Sequence, residues 1–233
     1  MTAHGAALSP VRAYGHLANL YEYTLRFTGQ ARGIERYLSR LSLPLPAGAR
    51  VMDAGCGTGF LALWLAERFP DATVTAFDLE PRMLEVLARS ARRAGVPGSR
   101  LTIATGDLRQ PDRLRRLADG AGLPPLTAAL DLIVVGAALE HVPLEETLRG
   151  LAGLLRPGGL LAIIDFPPVL PWLWPWAPKG VPEDRRGHGV AVHLVVEEVT
   201  ASGFELVQVI EDWPGRGPLA SYCVVFRKPR GRQ

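Results

Sequence analysis

One stretch limits the fold more than any other: Val51-Met52-Asp53-Ala54-Gly55-Cys56-Gly57-Thr58-Gly59-Phe60. Arg50 to Ala54 is short and mostly apolar, and Phe60 to Ala66 has helical composition. Between them, glycine occupies every second position. Glycine tolerates positive φ and lets another molecule approach the backbone closely. The helix that follows opens with unpaired N–H groups, which suit polar or anionic groups. The pattern predicts a buried strand, a tight turn and a helix at the edge of a parallel sheet, the usual place for a nucleotide.

The downstream sequence keeps the alternation going. Ala72 to Phe77 is a β-branched run ending in Asp78, and Pro81 opens a helix to Ala94 with proline in its favoured first position. Leu101 to Thr105 reads as a third strand ending at Gly106-Asp107-Leu108. Pro111 to Asp119 reads as a short basic helix, and Gly120 to Thr127 as a loop. Leu130 to Val135 is nearly all apolar, as expected of a strand buried on both faces. Leu144 to Leu155 is a helix closed by Arg156-Pro157-Gly158-Gly159, and Leu160 to Ile164 is a fifth strand ending at Asp165. Val190 to Ala201 gives a further helix, then Phe204 to Ile210 and Ala220 to Phe226 give two late strands. The link between those two is too short for a parallel crossover, so they are antiparallel neighbours. The expectation is a single α/β domain over residues 1–233, a doubly wound and mostly parallel sheet of seven strands with helices on both faces.

Two segments stand outside this rhythm. Residues 1–47 carry two amphipathic patterns (Tyr14, Leu17, Leu20, Tyr21, Leu25, then Ile34, Tyr37, Leu38, Leu41) and form either an N-terminal helical cap over the site or cover for a sheet face. Residues 167–189 hold six prolines, with Trp172, Trp174 and Trp176 alternating among them. This segment reads as a lid over an apolar or aromatic ligand, as a surface for peripheral membrane contact, or as a crossover loop.

Composition narrows the function classes. The 233 residues are 48% hydrophobic and 21% charged, with net charge +3, which fits a globular chain and gives no clustered footprint for nucleic acid. Two cysteines far apart make neither a disulfide framework nor a C-x-x-C zinc site, and no metal is expected. No basic-then-apolar leader and no apolar run of about 18 residues is evident, so the expected location is the cytoplasm without a membrane span.

The chemistry should lie at the carboxyl ends of the strands. Asp53, Asp78 and Asp107 end three neighbouring strands, and Asp78 lies 23 residues past Gly55, the spacing of an acid that binds ribose hydroxyls. The plainer reading is that acids stop apolar runs and cap helices. A dinucleotide fingerprint fails because Phe60 holds the third glycine position, and no lysine completes a phosphate loop. Asp53 in the turn opposes a pyrophosphate but suits a cation. Ribose, adenine and positive charge together describe S-adenosylmethionine.

The segment Val51 to Phe60 resembles motif I of the class I S-adenosylmethionine-dependent methyltransferases. The similarity continues through Asp78 to Leu84, Gly106-Asp107-Leu108, Asp131 to Val142 and Leu155 to Phe166, and is greatest to the small-molecule and quinone-biosynthesis C-methyltransferase group. It implies strand order 3-2-1-4-5-7-6 with strand 7 antiparallel, and S-adenosylhomocysteine as product. By the same resemblance, Asp53, Gly55, Cys56 and Gly57 would border the methionine portion, Asp78 would take the ribose hydroxyls, and Leu79 would lie beside the adenine. Gly106, Asp107 and Leu108 would serve the adenine edge, with Gly136 and Ala137 near the sulfonium. Met83 is either an adenine contact or a core residue, and Cys56 is a small neighbour of the cofactor, not a nucleophile.

His141, just past the fourth strand beside Glu140, lines the site, acts as a base or is structural. His188 lies in a basic loop that would enter the acceptor pocket with Trp172, Trp174 and Trp176, or remain solvated; His193 is expected to pack. The function expected is methyl transfer to a small apolar or aromatic acceptor. Its rivals are an RNA or protein methyltransferase, which a basic face of Arg109, Arg113, Arg115 and Arg116 would favour, and a cofactor-binding protein without transferase activity.

Overall fold

The apolar runs become strands because helices cover both of their faces. The computed structural model describes residues 38–139, 142–165, 189–211 and 222–230. Among the described residues there are eight strands: β1 (Arg50–Ala54), β2 (Thr73–Asp78), β3 (Leu101–Thr105), β4 (Arg115–Arg116), β5 (Leu130–Gly136), β6 (Leu155–Asp165), β7 (Glu205–Ile210) and β8 (Tyr222–Arg227). They form one sheet in the order β4-β3-β2-β1-β5-β6-β8-β7. The pairs from β3 to β6 are parallel, whereas β4 on β3, and β8 on both β6 and β7, are antiparallel. Without β4, this is the expected order, including the antiparallel last strand.

Alternate residues of one strand feed opposite cores. Val51, Leu132 and Val134 join Leu61, Leu65, Leu84 and Leu87 on one face. Met52, Ile133 and Val135 join Leu148, Leu151, Val195 and Val199 on the other. The helices α1 (Phe60–Arg68) and α2 (Pro81–Arg93) therefore cover the first face, and α3 (Leu144–Leu154) and α4 (Val192–Ala201) the second. Leu148 is fully buried; its truncation to alanine would cost about 2–5 kcal/mol.

Three details differ from the sequence reading. The basic helix over 111–119 is absent: Arg115 and Arg116 pair with Thr105 and Ala104, and the Leu117 N–H donates to Ile103 O at 2.9 Å. The open edge of β3 offers backbone partners, and Gly120, at φ 69°, turns the chain back so that Arg116 N–H reaches Ala121 O at 2.7 Å. The sheet thus has eight strands rather than seven. β6 also begins at Leu155, taking in the Pro157-Gly158-Gly159 turn, because Gly158 and Gly159 exchange backbone hydrogen bonds of 2.9 Å with Lys228. His193 is exposed rather than packed, since Val195 and Val199 occupy the inner face of α4. Of the expected cap, only residues 38–47 are described, with Leu38 and Leu41 in the core.

Candidate functional site

β1, β2 and β3 run to one side of the sheet and β5 to the other, so the topology switches between β1 and β5. Their carboxyl ends form the natural ligand crevice. The glycine turn is stitched to β2: Gly55 N–H and Cys56 N–H both donate to Phe77 O at 2.9 Å. Gly57 N–H donates to Asp78 Oδ2 at 2.8 Å, and Glu80 N–H to Oδ1 at 2.9 Å. Asp78 is thus a clamp that sets the turn's shape, and each oxygen keeps lone-pair capacity for a further donor.

Two of the glycines answer to different demands. At Gly59, φ is 86° and a Cβ would lie 2.1 Å from Leu87 Cδ1, so this position serves packing of α1 against α2. At Gly57, φ is 52° and nothing lies within 4 Å of a Cβ, so the turn presents bare backbone to open space.

Asp53 is fully buried, and neither carboxylate oxygen has a hydrogen-bond partner among the described residues. Burial pushes its carboxyl up to about 7; the Ala62 N–H in the first turn of α1, near but outside hydrogen-bond geometry, lowers it in part, and the Asp78 charge adds to the rise. No side chain caps α1 and no acid occupies its first turn, so Asp53 reaches that positive helix end from β1. Burial is also the main cause of the rise at Asp78, where the Glu80, Gly57 and Leu79 N–H groups oppose it. The Cys56 thiol is buried and pushed well up, chiefly by that burial, so it is not a ready thiolate.

The other predicted positions gather here. A Cβ on Gly55 would lie 2.8 Å from both Ala138 Cβ and Leu108 Cδ1, which shows how closely the ends of β3 and β5 approach the turn. Gly106 N–H donates to Asp78 O at 3.0 Å. Gly136 closes β5 against Leu61, and Ala137 follows with φ 47°, a left-handed backbone on a non-glycine residue. Such strain is characteristic of functional sites; here the Ala137 N–H bond to Ile164 O, at 2.9 Å, helps hold it. Leu79 is half exposed, whereas Met83 is buried on the inner side of α2, in line with its packing reading.

The sequence reading did not connect Asp107 with Arg109. Arg109 donates to Asp107 through its backbone N–H and through Nε and Nη2, and the side-chain contact holds the Asp107 carboxyl below its usual range. The only signal in the sequence is an arginine two places after an acid. His141, Trp172, Trp174, Trp176 and His188 lie outside the described residues. At the far wall, Asp165 closes β6 opposite Tyr222, whose hydroxyl donates to Val190 O at 2.8 Å. Burial, then the Asp165 charge, keeps that phenol protonated. Among the described residues no cluster of three or more His, Cys, Asp or Glu side chains is placed to hold a metal ion.

Comparison with known proteins gives the same direction. A family model described as a methyltransferase domain matches residues 51–159. The ubiquinone biosynthesis O-methyltransferase of Methylocella silvestris is 33% identical over 190 residues, covering 77% of this chain and 65% of that protein. The trans-aconitate 2-methyltransferase of Variovorax paradoxus is 38% identical over 135 residues, covering 58% of this chain and 44% of that protein. The chain therefore spans less than two thirds of the length of either relative. Among solved structures, the N-methyltransferase NodS of Bradyrhizobium japonicum, in complex with S-adenosyl-L-homocysteine, shares the fold at a TM-score of 0.60 and 20% identity, over 85% of this chain and 87% of that one. Residues 51–159 thus form a methyltransferase domain, and the sheet order and motif I turn are similar to those of the class I S-adenosylmethionine-dependent methyltransferases.

Proposed function

We propose that the chain transfers the methyl group of S-adenosylmethionine to a small apolar or aromatic acceptor. The observation that carries the cofactor half is Asp53, a fully buried acid with both oxygens unpartnered at the head of a bare-backbone turn. A buried acid of this kind is costly unless a positive group balances it, and the methionine ammonium would do so. The remaining residues fit the same ligand. Asp78 keeps acceptor capacity for the ribose hydroxyls while it shapes the turn, and exposed Leu79 offers an apolar surface for adenine.

When bound, the cofactor supplies a methyl group already activated by a sulfonium. The protein's task is then to orient the two partners and exclude water, the source of much of the rate in such reactions. Gly57 leaves room along the turn, and the left-handed Ala137 turns the β5 end away from the strand direction. A base is needed only for a weakly nucleophilic acceptor, and His141 would be its source.

The small-molecule reading draws on the names of the relatives, which refer to ubiquinone biosynthesis and to trans-aconitate. It also draws on the arginines: Arg109 is paired with Asp107 and Arg116 with Asp119, which leaves no continuous free basic face of the four. Among the described residues no helix is long and apolar enough to cross a membrane. The 167–189 segment, with its three tryptophans, is proposed as the acceptor's cover. The test is transfer of a labelled methyl group to a panel of quinols, phenols, carboxylates and amines, with RNA and protein extracts as further arms. Transfer to a panel member supports the reading; transfer confined to RNA or protein overturns it.

A further inference from the structure

Asp78 and Asp107 end neighbouring strands, but their carboxylates are in opposite states. Each oxygen of Asp78 accepts one backbone N–H. Those of Asp107 are more heavily occupied. Oδ1 accepts the Arg109 N–H at 2.9 Å and Nε at 3.0 Å; Oδ2 accepts Nε at 3.0 Å and the closer Nη2. A carboxylate has about four lone-pair sites; Arg109 brings three N–H donors to them, with the single Nε hydrogen shared between both oxygens. If Asp107 faces the adenine amino group of the proposed cofactor, as the family resemblance implies, that group meets an acceptor already largely taken.

We propose that Arg109 sets cofactor affinity by competing with the adenine amino group for Asp107. The entering base must share the carboxylate with the guanidinium, whose Nε hydrogen is already split between the two oxygens. The guanidinium has somewhere to go: Arg109 is 53% exposed, and the Glu146 carboxylate in the first turn of α3 also stabilises its charge. Substrate and product share the same adenosyl end, so the competition loosens both equally. Its consequence is faster product release, not selection of one over the other. The pair is partly solvated, so the effect is of the size of an exposed ion pair, up to about fivefold.

The test uses Arg109→Met, which keeps the stem and the backbone N–H but removes the guanidinium. Calorimetric titrations with S-adenosylhomocysteine and adenosine should show about threefold to fivefold tighter binding than wild type. S-inosylhomocysteine, which has a 6-oxo group in place of the amino group, should gain nothing. A variant that merely loosened the loop would move all three ligands together. Raising the salt concentration should close the gap for S-adenosylhomocysteine, because salt screens the competing pair. Equal or weaker binding of S-adenosylhomocysteine by Arg109→Met overturns the inference. Asp107→Ala separates it from the reading beneath it. If Asp107→Ala weakens binding but Arg109→Met does not tighten it, the competition is wrong and the adenine placement stands. If Asp107→Ala changes nothing, the adenine placement itself falls.

Discussion

The two ends of the central strands treat buried charge in opposite ways. At the amino end, Asp131 of β5 accepts the Arg50 N–H of β1 at 2.8 Å and Arg156 Nε at 2.5 Å. Lys228 Nζ donates to Ala152 O and Leu155 O at 2.7 Å, closing the carboxyl end of α3. Arg100 Nη2 does the same for α1 at Ala66 O and Phe69 O, although its buried Nε has no partner. At the carboxyl end, Asp53 has both oxygens unpartnered and Thr147 Oγ1 is buried without a partner. One sheet thus carries a closed base and an open top. The base can be completed by the chain alone, whereas the top is complete only with something else in it.

The sharpest way to break this contrast is Gly59→Ala. It places a Cβ into Leu87 at a positive φ, and should cost about 3 kcal/mol in denaturant unfolding. A neutral result would mean that α1 and α2 are not locked by this turn. Next is Asp78→Ala, which removes the acceptor of two backbone N–H groups together with the proposed ribose contact. Its affinity for S-adenosylhomocysteine should fall about 100-fold, since each charge-assisted bond is worth about 1.5–3 kcal/mol. Asp131→Ala at the base should lose about 2 kcal/mol of stability through its stranded Arg156 and Arg50 N–H, with cofactor affinity unchanged. An affinity loss there would erase the division between the two ends.

The smallest effect is a pH dependence. Burial raises the Asp53 carboxyl to about 7 from the ordinary 3.8 of an aspartate, so between those limits the folded state holds more protons than the unfolded one. Its contribution to stability is fully present below about pH 3.8 and is lost as pH rises through 7. Lowering the pH from 7.5 to 5.5 should therefore stabilise the ligand-free protein by at most about 2 kcal/mol, and Asp53→Asn should flatten that slope. A wild-type profile that falls over the same window would show that Asp53 is not a strained acid.

Much of this division was legible in the residues. The strands near the site announce themselves because both of their faces are buried: Leu130 to Val135 leaves no room for a polar side. The three acids were visible as strand ends. The closed base was not, because Asp131 and Arg156 lie 25 residues apart with nothing local to pair them. β4 escaped notice because a two-arginine strand has neither alternation nor apolar content; it exists only because the edge of β3 needs a partner. The lock on Asp107 also stayed hidden, since an arginine two residues after an acid can face solvent as readily as turn back.

Titration of S-adenosylmethionine into wild type and Asp53→Asn at pH 7, in two buffers of different ionisation enthalpy, tests the open top most directly. The account predicts micromolar binding by wild type with release of protons, as the methionine ammonium drives Asp53 to its charged form. It predicts weaker binding by Asp53→Asn with no buffer dependence. Equal affinities and no proton release in either protein would show that the buried acid plays no part in holding the cofactor.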